Sequence, residues 1–200
     1  MKFLSNPFVR PAALIVLLLA AGTAQAHTGH DTSGVSEGLA HPMGFDHLLA
    51  MVAVGIWTVS SLPVHKAWWG PATFLLVLTV SATLGSLGFS LPLLEQMISL
   101  SVVLLGAMLV LSRVKLPTVL GLGLVALVAS LHGLAHGTEA PAASFAGYAA
   151  GFLTTTAALH FGGVTAGLAV RRYLAQKSNW VMATLGAGFG GSGLYLFSQL

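Results

Sequence analysis

The sequence predicts an all-α fold: a polytopic membrane helical bundle of six transmembrane helices after a cleaved signal peptide, with both mature termini outside. Three observations lead there. Of the 200 residues 56 % are hydrophobic and only 6 % charged, against about 25 % charged in ordinary soluble domains. Eight Lys/Arg and five Asp/Glu cannot coat a soluble globule of this length. Six stretches reach the roughly 20 apolar residues that a bilayer-spanning helix needs, and the basic residues fall on alternate connections between them.

The first element is a secretory signal over residues 1–26. Lys2 and Arg10 form its positive end, Ala12 to Gly22 its apolar stretch, and Ala24-Gln25-Ala26 a small-x-small cleavage site. Cleavage there would expose His27. Residues 27–200 then read as a single transmembrane domain, with no linker or low-complexity tract.

The six expected spans are about 44–62, 68–90, 92–112, 117–136, 142–170 and 180–198. Pro92, Pro117 and Pro141 each stand near a helix start, where the missing amide donor costs little, and Pro71 lies in a first turn. Glycines at 85 and 88, 162 and 163, and from 186 to 193 suit close helix packing, because lipid offers no hydrophobic drive for association. The connections after spans one, three and five carry Lys66, then Arg113 and Lys115, then Arg171, Arg172 and Lys177, whereas segments 27–43, 90–92, 137–141 and the C-terminus carry no Lys or Arg. The positive-inside rule puts the mature termini on the outer side.

Composition also excludes several functions. Cysteine is absent, which removes disulfides, thiolate nucleophiles and thiolate metal sites. The net charge of +3 contains no basic run beyond Arg171–Arg172, so nucleic acid is not an expected partner. No GxxxxGK[ST] sequence is present, and no organic cofactor is expected. Eight histidines outnumber the five acidic residues and are the main metal-binding resource.

With the topology set, those side chains can be placed by depth. His41, Asp46 and His47 lead into span one from outside. His132, His136 and Glu139 close span four at positions i, i+4 and i+7, one helical face if the helix persists. Glu95 opens span three on the same side. His160 lies deep in span five, roughly 15 Å above the inner boundary, where ionisable groups usually face a bundle interior or a water path. Each residue has a plainer role open to it. A lone intramembrane His serves as a helix–helix hydrogen-bond partner, Asp46 and Glu95 favour their helix dipoles, Met51 packs or faces lipid, and His27, His30 and His65 are solvated. Two acidic–His groups at one depth are harder to explain that way. Imidazole with carboxylate and no sulfur suits Ni²⁺, Co²⁺, Zn²⁺ or Cu²⁺.

The same residues carry a family resemblance. His41-Pro42…Gly44-x-Asp46-His47-Leu-Leu-Ala50-Met51…Val54-Gly55-x-Trp57 resembles the opening motif of the HupE/UreJ nickel permeases. The resemblance continues through Trp68-x-x-Pro71-x-x-Phe74, Pro92-x-x-Glu95, Ser101…Gly106, His132-Gly-x-Ala-His136-Gly-x-Glu139-x-Pro141 and Tyr148-x-x-Gly151-Phe152…Leu159-His160. It implies a multi-pass protein of the bacterial inner membrane, its mature termini periplasmic, that supplies nickel to a maturing hydrogenase or urease. His41, Asp46, His47, His132, His136 and Glu139 would then bind Ni²⁺ as transported substrate, with Co²⁺ or Zn²⁺ as alternatives, and Glu95 and His160 would act in a second shell or along the path. The partners expected are the divalent ion and the lipid bilayer. The competing chemistry for the same ligands is an intramembrane zinc-dependent hydrolase, in which the metal activates water.

Overall fold

The computed structural model describes residues 34–114, 116–141 and 144–200. The signal sequence, His27, His30 and Lys115 lie outside the described residues. Within them the chain forms seven α-helices and no strand: α1 (Gly34–Ala40), α2 (Phe45–Ser61), α3 (Trp69–Ser86), α4 (Leu94–Val110), α5 (Thr118–Thr138), α6 (Phe145–Tyr173) and α7 (Ser178–Phe197). A 3₁₀ turn, His41–Met43, joins α1 to α2.

Each of the six expected spans coincides with one helix, shifted by a few residues at the ends. Not all are long or apolar enough to cross a bilayer by that measure alone. Val64–Ser86, Thr118–Thr138 and Phe145–Tyr173 are, and the pair Gly34–Met43 and Phe45–Ser61, bent by 74°, qualifies only when taken together. The α4 helix is apolar but has 17 residues, and α7 is diluted by Asn179, Ser192 and its glycines. The α6 helix, with 29 residues, extends about 43 Å at 1.5 Å per residue, more than the roughly 30 Å of hydrocarbon.

The bundle is built on glycine. A Cβ on Gly55 or Gly163 would strike the backbone of the facing helix, at His160 and Val52 respectively, so α2 and α6 touch there main chain to main chain. Gly133 and Gly137 bring α5 equally close to Leu78 and Ala82 of α3. Gly106 of α4 meets Gly186 and Gly190 of α7, and Gly193 meets Ser99. These pairings give direction as well as distance. Residue numbers rise together along α2/α6 and α3/α5 and run oppositely along α4/α7, as a chain crossing back and forth requires.

The innermost helix is α2. From His47 to Val59 every residue but Val52 is buried, and α2 packs on α6, α4 and α3. Its C-terminal end is tied down by Arg171, whose Nη1 donates to the Val59 carbonyl at 2.5 Å.

The helix α1 was not expected from the sequence. Gly-Val-Ser-Glu-Gly-Leu-Ala has poor helix propensity, yet Gly34 and Gly38 let its backbone lie against Ser144, just before α6, and against Tyr148 within it. Thr155 Oγ1 donates to the Leu39 carbonyl at 2.9 Å. Tertiary packing supplies what propensity lacks.

Candidate metal centre

Four imidazoles from α2, α5 and the turn before α2 meet where α2 begins and α5 ends. Ring centroids are 4.6 Å apart for His41 and His136, 4.6 Å for His47 and His132, 5.0 Å for His47 and His136, and 5.6 Å for His41 and His47. One ring nitrogen from each of His41, His47 and His136 lies within 4.8 Å of the others. His132 and His136 are fully buried.

The hydrogen bonds fix which nitrogen carries a proton. His47 Nδ1 lies 3.0 Å from Asp46 Oδ1. A carboxylate only accepts, so Nδ1 is the donor and the lone pair is on Nε2. The same Oδ1 accepts from the His47 backbone N–H at 2.8 Å, one of the amides that a helix start leaves unsatisfied. Ser101 Oγ donates to the Ile98 carbonyl at 2.6 Å and lies 3.1 Å from His132 Nε2. With its own hydrogen committed, the hydroxyl accepts from Nε2–H and leaves the His132 lone pair on Nδ1. His136 stacks on Phe152, ring centroids 4.5 Å apart and 11° from parallel.

The bare nitrogens have no partner among the described residues. His47 Nε2, His132 Nδ1 and both ring nitrogens of His136 are buried without a hydrogen bond. Such groups cost free energy unless something fills them. Lone pairs of neutral imidazoles held by a carboxylate or hydroxyl behind the ring are the usual preparation of a histidine for metal.

Glu139 stands at the mouth. It caps α5 with helical backbone angles, so the expected shared face with His132 and His136 persists. Its Oε2 is 3.3 Å from His41 Nε2 and its side chain is half exposed. Partial burial, and then the charge of Glu95, raise its carboxyl above the ordinary range. Glu95 itself is exposed in the first turn of α4, within electrostatic reach of Glu139 but outside the imidazole group. A half-polar cavity of about 550 Å³, lined by Ser86, Ser90, Gly137, Thr138 and Pro141, opens beside this mouth.

His160 is apart and deeper. Its carbonyl abuts Gly55, eight residues beyond His47 and so about 12 Å further along α2. Its Nδ1 donates to the Thr156 carbonyl at 2.8 Å, which leaves the Nε2 lone pair buried and unpartnered. His65 lies exposed in the turn Val64–Lys66 at the opposite end, and Met51 is fully buried.

The structure thus brings together His41, Asp46, His47, His132, His136 and Glu139. Asp46 stands behind the His47 ring, not beside its free nitrogen. Sequence reasoning assigned no role to Ser101, Phe74, Tyr148 or Phe152, all of which touch these rings. Ser101 is one of two buried serines in an apolar helix, beside Ser99, and its place among the residues that carry the family resemblance was its other signal; the three aromatics were indistinguishable from core.

A family model described as HupE / UreJ protein matches residues 15–196. Protein HupE of Rhizobium leguminosarum bv. viciae is 42 % identical over 167 residues, which cover 82 % of this chain and 84 % of the relative. No solved structure matches.

Proposed function

The chain belongs to the HupE/UreJ family of membrane proteins, and from that premise we propose that it is a permease carrying Ni²⁺ inward across the bacterial inner membrane for a nickel enzyme. The observation that carries this reading is the set of unpartnered lone pairs on His47, His132, His136 and, deeper, His160. An ion would enter beside Glu139, where the carboxylate and His41 meet it first. It would settle among His41, His47 and His136, with His132 adjoining, and continue to His160. Asp46 and Ser101 would hold their rings in the tautomers described and would not coordinate. Glu95 would add negative charge to the entrance. The six helices, with their alternating directions, support six crossings, the basic ends inside. The family does not favour the hydrolase alternative.

Energetics ask for no fuel beyond the membrane potential. About 2.3 kcal/mol per charge per 100 mV gives roughly 4.6 kcal/mol for a divalent ion, an accumulation of about 2,000-fold.

The test is ⁶³Ni²⁺ uptake by cells lacking other nickel transporters, with and without this protein, competed by excess Co²⁺ and Zn²⁺. Saturable uptake that survives Zn²⁺ and stops when the potential is collapsed is expected. No uptake of any of the three ions by a protein shown to reach the membrane would overturn the proposal.

A further inference from the structure

We propose that the Phe74 side chain is the barrier between two metal stations, the outer imidazole group and His160; the inference rests on the transport reading above. Phe74 projects from α3, the helix that glycine contacts hold against α5, and it is fully buried. Its ring centroid is 6.1 Å from His132 and 4.7 Å from His160. The four outer rings form one connected set, with His132 joined to it through His47. Among the described residues, the ring that joins that group to His160 is Phe74.

Its surroundings are unusual for a core aromatic. Phe has no donor or acceptor, yet it lies against two imidazoles that each keep a buried, unpartnered nitrogen, His132 Nδ1 and His160 Nε2. Ring packing on apolar neighbours would explain burial alone. It does not explain why the one apolar ring touching both histidines falls where an ion must leave one lone pair and find the next.

A barrier at this point solves a physical problem. Two imidazole stations joined by an open passage would admit water, and an inside-negative potential would drive other cations through the same wet path. A hydrophobic constriction keeps the passage dry until the side chain moves. With the ring in place, the outer group communicates with the outside alone. Rotation about χ1 and χ2 would open the gap for one transfer from His132 Nδ1 to His160 Nε2.

The experiment uses the full protein in proteoliposomes, with Phe74→Ala, Phe74→Leu and Phe74→Trp. It records initial ⁶³Ni²⁺ uptake under an imposed potential, and Ni²⁺ binding by equilibrium dialysis of the detergent-solubilised protein. Phe74→Ala and Phe74→Leu are expected to raise the uptake rate several-fold with Ni²⁺ affinity unchanged. Phe74→Trp is expected to lower the rate by about an order of magnitude, again with affinity unchanged. Uptake that falls in the Ala and Leu variants, affinity that weakens in step with the rate, or rates equal to wild type in all three would overturn the barrier while leaving the permease standing. If the Ala variant fails to reach the membrane, the Leu and Trp pair decide by the same criteria. A wild-type protein that binds or moves no Ni²⁺ overturns the transport reading, and the barrier falls with it.

Discussion

At the scale of single residues the site depends on which atom of each histidine is bare. Asp46 decides this for His47. In Asp46→Asn the charge behind the ring is lost, and an amide nitrogen turned toward Nδ1 would push the proton to Nε2, the atom that must bind. A 10–100-fold loss of metal affinity is the usual cost of removing such a partner, so uptake by Asp46→Asn should fall by about that factor. His136→Ala should abolish uptake. Both variants should keep normal membrane abundance, measured by immunoblot beside the uptake assay; wild-type rates in both would refute the site. Acidity acts on the same atoms. Imidazoles bind metal only when neutral, and burial, then the charge of His47, lowers the His41 imidazole from the ordinary 6.5 to about 4, so uptake should hold through mild acidity and fall as the pH approaches that value. Glu139 moves in the same direction: with its carboxyl raised by burial, it loses its negative charge at a higher pH than an ordinary glutamate would. Uptake undiminished well below the His41 value of about 4 would remove histidine from the binding step. Much at this scale was legible in the sequence, because His132, His136 and Glu139 recur at helical spacing and His41 and His47 flank a helix start. The Asp46–His47 bond was not. Adjacent side chains on a helix do not normally face each other, and the contact arises because Asp46 turns back to the free amide of a first turn.

At the scale of helices, glycine sets how close the ligands can come. Gly137 follows His136 directly, and a Cβ there would strike the Ala82 carbonyl of α3; at Gly55 it would strike the carbonyl of His160. Neither obstacle is a side chain that can rotate away. Gly137→Val and Gly55→Leu should each force their helices apart, at the roughly 1–3 kcal/mol typical of overpacking. The expected readout is a lower Tm in detergent for both, with Gly123→Ala, where an added Cβ meets nothing, unchanged. Equal Tm values in all three would show that these crossings are loose. Helix existence was legible from apolar length and from the prolines at helix starts. The 74° bend between α1 and α2 was not, since it follows from Gly44 adopting an extended ψ of 140° while α1 lies along α6. No local pattern encodes that packing. The full burial of α2 was hidden too, because an apolar helix that faces lipid and one that faces protein have the same composition.

At the scale of the whole molecule, charge is arranged by side. The basic residues that the sequence is expected to place inside include Arg171, which caps the C-terminal end of α2, and Lys66, whose Nζ lies 4.3 Å above the Trp69 ring. The carboxylates Asp46, Glu95 and Glu139 gather at the opposite end. The proposed orientation rests on those loop charges, while the separation of the histidines into a group at the helix ends and a deeper one emerged only when the helices were packed. That separation has a consequence for time. Imidazoles grip a divalent ion through lone pairs, and of the two carboxylates touching the group Asp46 faces the back of a ring and Glu139 is half exposed at its edge. The deeper station has a single imidazole and no acidic neighbour on its ring. On the proposed transport reading an ion reaching it would dwell briefly, and a chain with so little negative charge among its described buried residues would be suited to passing ions on and poorly suited to hoarding them.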